Sequence, residues 1–199
     1  MKTQICGWML SIVGLGLAVG AGAEETPRPA AAALDAPVVE VPMDLASGRP
    51  VVEVTLNGLG PYFFIVDTGA SSTMIDEELA REIKLPVVGA STAGDPTSPE
   101  AIATGVVKVE SLRMGGVKLS GVTGLTMNLR KMLGSRYGGI VGLPDLGTFL
   151  VKLDYPRQRV VLERGELPAD DPRAVPYTSE GCLIALPMTV AGQALTVHV

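Results

Sequence analysis

A carboxylate at the end of a strongly apolar segment is the feature of this sequence that most clearly suggests chemistry. Residues 62–66 read YFFIV and lead directly into Asp67, Thr68 and Gly69. Such a run predicts a buried strand, and an ionisable group at its end costs desolvation free energy unless it is paired or used. Glycine adopts backbone angles that other residues avoid, so Gly69 would permit a tight turn there. Asp67 is therefore the first candidate for a reactive group.

The rest of the composition limits the chemistry in which Asp67 could take part. The chain has 199 residues, a formal net charge of −5 and one histidine, His198. Catalysis by a serine, histidine and aspartate would depend on that single residue, and zinc sites built on several histidines cannot form. No basic stretch suggests a nucleic-acid partner. Carboxylate chemistry is the interpretation that remains.

Short β-type runs predict a mainly β fold around this carboxylate. Apolar and polar residues alternate over residues 52–56, which is typical of a half-buried strand, and Gly, Pro and Asn mark the gaps between runs. The segment 153–162 is predicted to form a strand, a proline-containing turn and a second strand. Further runs of the same type lie at 38–45, 62–66, 105–114 and 116–122.

A few short helices are predicted among these strands. One is expected to begin at Asp76, which would cap it, and to end before Pro86, because acidic residues fill its first turn and an apolar stripe follows. A second is predicted after Asn128 and a third over residues 147–151.

The other charged side chains are given structural interpretations. Asp145 and Asp154 are expected to be turn residues, since aspartate favours turns. Arg130, Lys131 and Arg136 form a loose basic group that is interpreted as solvated surface.

Three motifs occur in an order that resembles the retropepsin-like group of aspartic peptidases. They are FIVDTGAS at 64–71, DEELAREIKL at 76–85 and GGIVGLPDL at 138–146, and the strand pair 149–162 follows. The resemblance covers about residues 50–163. It implies an all-β fold with one or two short helices, built as the closed β-barrel lobe of the acid proteases.

The resemblance also implies roles for individual residues. Asp67 would be the catalytic residue, and its loop would be supported by Thr68, Gly69, Ala70 and Ser71. A structural element beneath the loop would be formed by Ile140, Val141 and Gly142. The small-residue segment 89–105 would form a flap over the cleft.

In this family two such loops face each other, so the resemblance implies that Asp67 is one member of a carboxylate pair. Two carboxyl groups in contact share a proton, as in the well-known aspartic-protease dyad. The expected function is an aspartic endopeptidase that cleaves unfolded or flexible protein segments by activating water. Because water is the nucleophile in this mechanism, the resemblance implies no metal and no cofactor. Two alternatives stay open: a non-catalytic peptide-binding or dimerisation module, and an envelope-associated structural β domain with an accidental motif.

Composition divides the chain into four segments. Residues 1–23 are typical of a signal peptide and 24–46 of a flexible leader with a first strand, while 47–163 form the peptidase-like lobe. Residues 164–199 are predicted to be a linker and the possible start of a truncated second lobe. This would make the protein exported, periplasmic or secreted, with no stable membrane anchor after signal cleavage.

The source of the second carboxylate is left open by the sequence. The stretch CLIALPMTVAGQALTVHV at 182–199 resembles VVEVTLNGLGPYFFIV at 51–66 when Gly192 is aligned with Gly58 and one residue is omitted. In a two-lobed chain, this alignment places the second carboxylate at position 200, directly after the repeat. A two-fold homodimer, in which Asp67 occurs twice, is the competing arrangement.

Overall fold

The computed structural model describes residues 31–93, 102–168, 170–180 and 183–198. The predicted signal peptide, the central part of the predicted flap and Cys182 lie outside these ranges. The elements in chain order are β1 Ala31–Leu34, β2 Val38–Pro42, β3 Val51–Leu56, β4 Leu59–Asp67, β5 Met74–Asp76, α1 Glu77–Glu82, β6 Val87–Ala93, β7 Ile102–Met114, β8 Val117–Met127, α2 Leu129–Leu133, β9 Tyr137–Gly142, α3 Leu143–Leu146, β10 Leu150–Asp154, β11 Arg159–Glu163, β12 Thr178–Glu180, β13 Leu183–Val190 and β14 Gln193–His198.

Six strands close into a barrel, which confirms the predicted all-β class. Hydrogen bonds join them in the order β8, β5, β9, β4, β3 and β7, and β7 pairs with β8 to complete the ring. Closure satisfies the backbone groups of both edge strands. The interior is filled by alternating apolar side chains, among them the fully buried Leu56, Phe64, Ile75, Leu112 and Val141.

A second sheet packs against the barrel and belongs to the same core. It consists of β10, β11 and β2, and its Val39, Val41, Val160 and Leu162 are buried in the main apolar cluster. β10 and β11 are joined by the turn that the proline-containing segment predicted. Hence β2, which precedes the barrel strands in the chain, and β11, which follows them, share one apolar core with the barrel.

Asp154 closes the turn between β10 and β11, as its sequence context predicted. Its carboxylate accepts hydrogen bonds from the backbone N–H of Arg157 at 3.2 Å and from the Arg157 guanidinium at 3.1 Å. Burial alone would raise the pKa of Asp154, but the bonds from Arg157 and the charges of Arg157 and Lys152 together hold the pKa below its ordinary value.

The helix predictions are confirmed at two positions and wrong at the third. α1 begins after Asp76 and α2 follows Asn128, and both cap side chains accept backbone N–H groups. Residues 147–151 do not form the predicted helix, since Leu150 and Val151 pair with β11. The helix lies earlier, at α3, because Pro144 fits the first turn, where its missing N–H removes no helical hydrogen bond.

The interpretation of Arg130 as solvated surface is wrong. Its guanidinium lies 2.8 Å from Glu82 Oε1, 3.3 Å from Glu78 Oε2 and 3.3 Å from Asp76 Oδ1. The hydrogen bond that Arg130 donates to Glu82 is the main reason that the pKa of Arg130 is raised. Arg130 therefore joins α1 to the start of α2.

The other two basic residues of the group are exposed, and one of them has partners. Lys131 is exposed, whereas Arg136 bonds the carboxylate of Asp44 and lies 4.3 Å from the ring centroid of Phe63.

Within the described ranges, no helix has the length and apolar character needed to cross a membrane.

The third sheet contains a hairpin whose turn matches that of the first barrel hairpin. β13 and β14 meet at Ala191 and Gly192, which have φ values of 51° and 80°. β3 and β4 meet at Asn57 and Gly58, with φ values of 51° and 81°. Two consecutive positive φ values are characteristic of the tight type I′ turn, which matches the twist of the flanking strands.

Candidate active site

Asp67 is the last residue of β4, and the neighbouring barrel strand β9 pairs with β4 up to this residue. β4 runs parallel to β9, and Asp67 lies opposite Gly142 in their register. The Asp67 side chain is half-buried, and its Oδ1 accepts a hydrogen bond from the N–H of Gly69 at 2.9 Å. This position argues against an accidental motif on a peripheral turn.

The loop that follows Asp67 is tied to the start of α3. Thr68 is half-buried, Gly69 and Ser71 are exposed, and Ala70 is buried. The carbonyl of Ala70 accepts a hydrogen bond from the N–H of Leu143 at 3.0 Å. Gly69 is not among the described glycines with positive φ, so this turn does not depend on the left-handed conformation that glycine favours.

Gly142 lies close against the backbone of the Asp67 loop. A Cβ at this position would lie 2.5 Å from both the C and O atoms of Ser72 and 2.9 Å from the nitrogen of Thr73. Val141, next to it, is fully buried, and Ile140 is half-buried. Only glycine fits at 142, because the opposing atoms belong to backbone that cannot rotate away.

A buried pair that the sequence analysis missed lies between the loop and α3. Thr73 Oγ1 donates to Asp145 Oδ2 at 2.6 Å and accepts from the N–H of Gly142 at 3.1 Å. Thr73 is 1% exposed and Asp145 is 3% exposed. The prediction that Asp145 is a turn residue is therefore wrong: it lies in α3 with its carboxylate in the core.

The flap prediction is only partly covered by the structure. Residues 89–93 belong to β6 and residues 102–105 to β7, and these two strands pair antiparallel. The residues between them lie outside the described ranges.

In the described part of the chain, no group of three or more His, Cys, Asp or Glu side chains could hold a metal ion.

Gly142→Ala is expected to destabilise the protein by about 2 kcal/mol or more, because the added methyl group overlaps backbone atoms. Chemical denaturation at neutral pH measures this loss. Gly89→Ala is the matched control, since a Cβ there would be 3.7 Å from its nearest neighbour, Val106 Cβ, which is an ordinary contact. Equal stability of the two variants would contradict the close approach at Gly142.

Comparison with known sequences agrees with the motif order. Residues 52–144 match the sequence profile of the aspartyl protease family. The matched segment contains Asp67, its loop and Gly142. The resemblance to the retropepsin-like aspartic peptidases is thereby confirmed. The search of curated proteins gave no match.

Similar folds occur among solved structures. A retropepsin-like aspartic protease from Rickettsia conorii is 17% identical, with a TM-score of 0.46 over 68% of this chain and 95% of the other. The retroviral protease-like domain of Ddi1 from Leishmania major is 13% identical, with a TM-score of 0.38 over 62% and 97%. Basic 7S globulin from soybean is 15% identical, with a TM-score of 0.32 over 66% and 43%.

Proposed function

We propose that this protein is an aspartic endopeptidase that hydrolyses peptide bonds in unfolded or flexible protein segments, with Asp67 as one of two catalytic carboxylates. The observation that supports this most strongly is the position of Asp67. It ends a barrel strand, is half-buried, and lies opposite Gly142 in a segment with the aspartyl protease profile.

In the proposed reaction, a water molecule lies between Asp67 and a second carboxyl group, and the two groups share one proton. The ionised group takes a proton from the water while the neutral group donates a hydrogen bond to the carbonyl oxygen of the substrate. The water oxygen then bonds to the carbonyl carbon. The C–N bond breaks after the amide nitrogen has received a proton from the pair. The bond from the Gly69 N–H fixes the orientation of the Asp67 carboxylate for this step.

A second carboxylate must come from outside the Asp67 loop, since the sequence contains one Asp-Thr-Gly. A second lobe or a second copy of the chain would supply it. The segment 178–198 supports the first arrangement, because its hairpin repeats that of β3 and β4 in turn geometry and also in register. In the first hairpin Val52 pairs with Phe64, and the corresponding pair in the second hairpin is Leu186 with Val197. Likewise, the pair of Val54 with Tyr62 corresponds to that of Met188 with Leu195.

The register explains why one residue must be omitted to align the two hairpins. β3 and β4 contain an irregularity between Val54 and Leu56, opposite a stretch that includes Gly60 and Pro61. β13 and β14 pair without a shift. β14 therefore has one residue fewer than β4 at the position of the irregularity. Beyond that position, the residue pairs of the two hairpins still correspond.

Incubation of the purified protein with an unfolded protein tests the proposal. Cleavage that is blocked by a statine-type transition-state mimic is expected. Binding of the unfolded protein without cleavage, at every pH from acid to neutral, would contradict the proposal and favour the non-catalytic peptide-binding module.

Dilution separates the two arrangements. If two copies form the site, activity per molecule falls as the dimer dissociates. If one polypeptide supplies both carboxylates, activity per molecule stays constant on dilution.

A further inference from the structure

The hydrogen bond between Thr73 and Asp145 joins the end of the Asp67 loop to α3. It has no part in the mechanism above. Both residues are almost completely buried. Buried polar groups of this kind cost free energy unless their hydrogen bonds are made, so their presence calls for a specific role.

The direction of the hydrogen bonds is fixed by the groups that take part. An N–H can only donate, so the bond from Gly142 occupies a lone pair of the Thr73 hydroxyl. The single proton of that hydroxyl must then point to Asp145 Oδ2, 2.6 Å away. This distance is typical of a hydroxyl that donates to a carboxylate. The Gly142 N–H therefore donates to the Thr73 hydroxyl, which in turn donates to the Asp145 carboxylate.

These bonds attach the Asp67 loop to one short segment, 142–145, at three points. Asp67 lies opposite Gly142 in the β4–β9 register, the Leu143 N–H donates to the carbonyl of Ala70, and Thr73 bonds to Gly142 and Asp145. The loop is thus held at its first residue, in its middle and at its end.

We propose that Thr73 and Asp145 are positioning residues that orient Asp67 by fixing the Gly142 backbone opposite it. This inference rests on the proposed function, because the orientation of Asp67 matters only if Asp67 acts on a substrate. Errors of about 1 Å in the placement of a catalytic group can lower a rate by about 100-fold. A hydroxyl that accepts from Gly142 and donates to Asp145 restrains such a displacement.

Thr73→Val is the direct test, since valine has the same shape and lacks the hydroxyl. We expect kcat to fall by about 10- to 100-fold with KM changed less than about twofold. Thr73→Ser keeps the hydroxyl and is the matched control, and it should retain kcat close to that of the unmodified protein. If Thr73→Val lowers thermal stability but leaves kcat per folded molecule unchanged, the pair is only structural and the inference is overturned.

Asp145→Asn provides a second variant in case Thr73→Val does not fold. Asparagine retains an oxygen that can accept from Thr73 but lacks the charge, so a several-fold loss of kcat with KM unchanged is expected. Unchanged kcat in Asp145→Asn would overturn the inference in the same way.

Nuclear magnetic resonance separates this inference from the proposed function. In Thr73→Val, and in Asp145→Asn to a smaller extent, amide exchange at Gly142 should become faster and the carboxyl carbon resonance of Asp67 should shift. If the unmodified protein cleaves nothing, the proposed function fails, and these two signals still decide whether Thr73 and Asp145 orient Asp67. Unchanged signals in both variants would overturn the positioning role even in an active enzyme.

Discussion

Asp67→Asn is expected to lower the rate of cleavage of an unfolded protein by about 1,000-fold or more. Asparagine has the size of aspartate, and its Oδ1 can still accept the hydrogen bond from the Gly69 N–H. It cannot take a proton from water, and general acid–base catalysis contributes about 100- to 10,000-fold to such reactions. The initial rate of cleavage, measured at several pH values, reports the loss.

The fold should not change in this variant, because the Asp67 side chain is only half-buried and lies at the end of β4. Asp35→Asn is a suitable control, since it makes the same chemical change at a carboxylate that is 59% exposed and pairs with Arg113. We expect the control to keep full activity. Cleavage that survives Asp67→Asn, with the mimic still inhibiting it, would mean that another group does the chemistry.

The barrel and the Asp67 loop could be predicted because their signals are local in the sequence. Alternation of apolar and polar residues over 52–56 defines β3, and the apolar run before Asp67 defines β4. Asp76 and the acidic residues after it define the start of α1, because a cap acts on the next two or three N–H groups. In each case the residues that decide the structure are close neighbours in the chain.

The contacts that the sequence did not reveal join residues far apart in the chain. Thr73 and Asp145 are 72 positions apart, and Arg130 lies 54 positions from Asp76. Threonine and aspartate are common in turns, so neither residue type by itself indicates a buried hydrogen bond. Arg130 and Lys131 are adjacent basic residues, and such a pair suggested a charged surface. Only Arg130 contacts the carboxylates of α1.

The misplaced third helix has a related cause. Residues 147–151 overlap the strand pair predicted at 149–162, and pairing with β11 determines the structure of Leu150 and Val151. Pairing with a distant strand overrides local propensity at such positions.

Asp76→Ala is expected to cause the largest loss of stability, about 3–5 kcal/mol in free energy of unfolding. The Asp76 carboxylate is completely buried. Its Oδ1 accepts from the N–H groups of Glu78 and Leu79 at 3.1 Å, and its Oδ2 accepts from the N–H of Arg130 at 2.9 Å. One side chain thus caps α1 and also bonds the first turn of α2. Its removal takes a hydrogen-bond acceptor from three backbone donors and a partner from the Arg130 guanidinium.

Glu78→Ala is the matched control, because Glu78 also lies near the Arg130 guanidinium, at 3.3 Å, but its side chain is 56% exposed. Exposed ion pairs contribute at most about 1 kcal/mol, so this variant should lose far less stability. Urea denaturation at pH 7 compares the two variants directly. A similar loss in both, or a loss below about 1 kcal/mol in Asp76→Ala, would show that the buried carboxylate does not hold the helices together. Because β5 ends at Asp76 and begins one residue after Thr73, we also expect the Asp67 loop to become more mobile in Asp76→Ala.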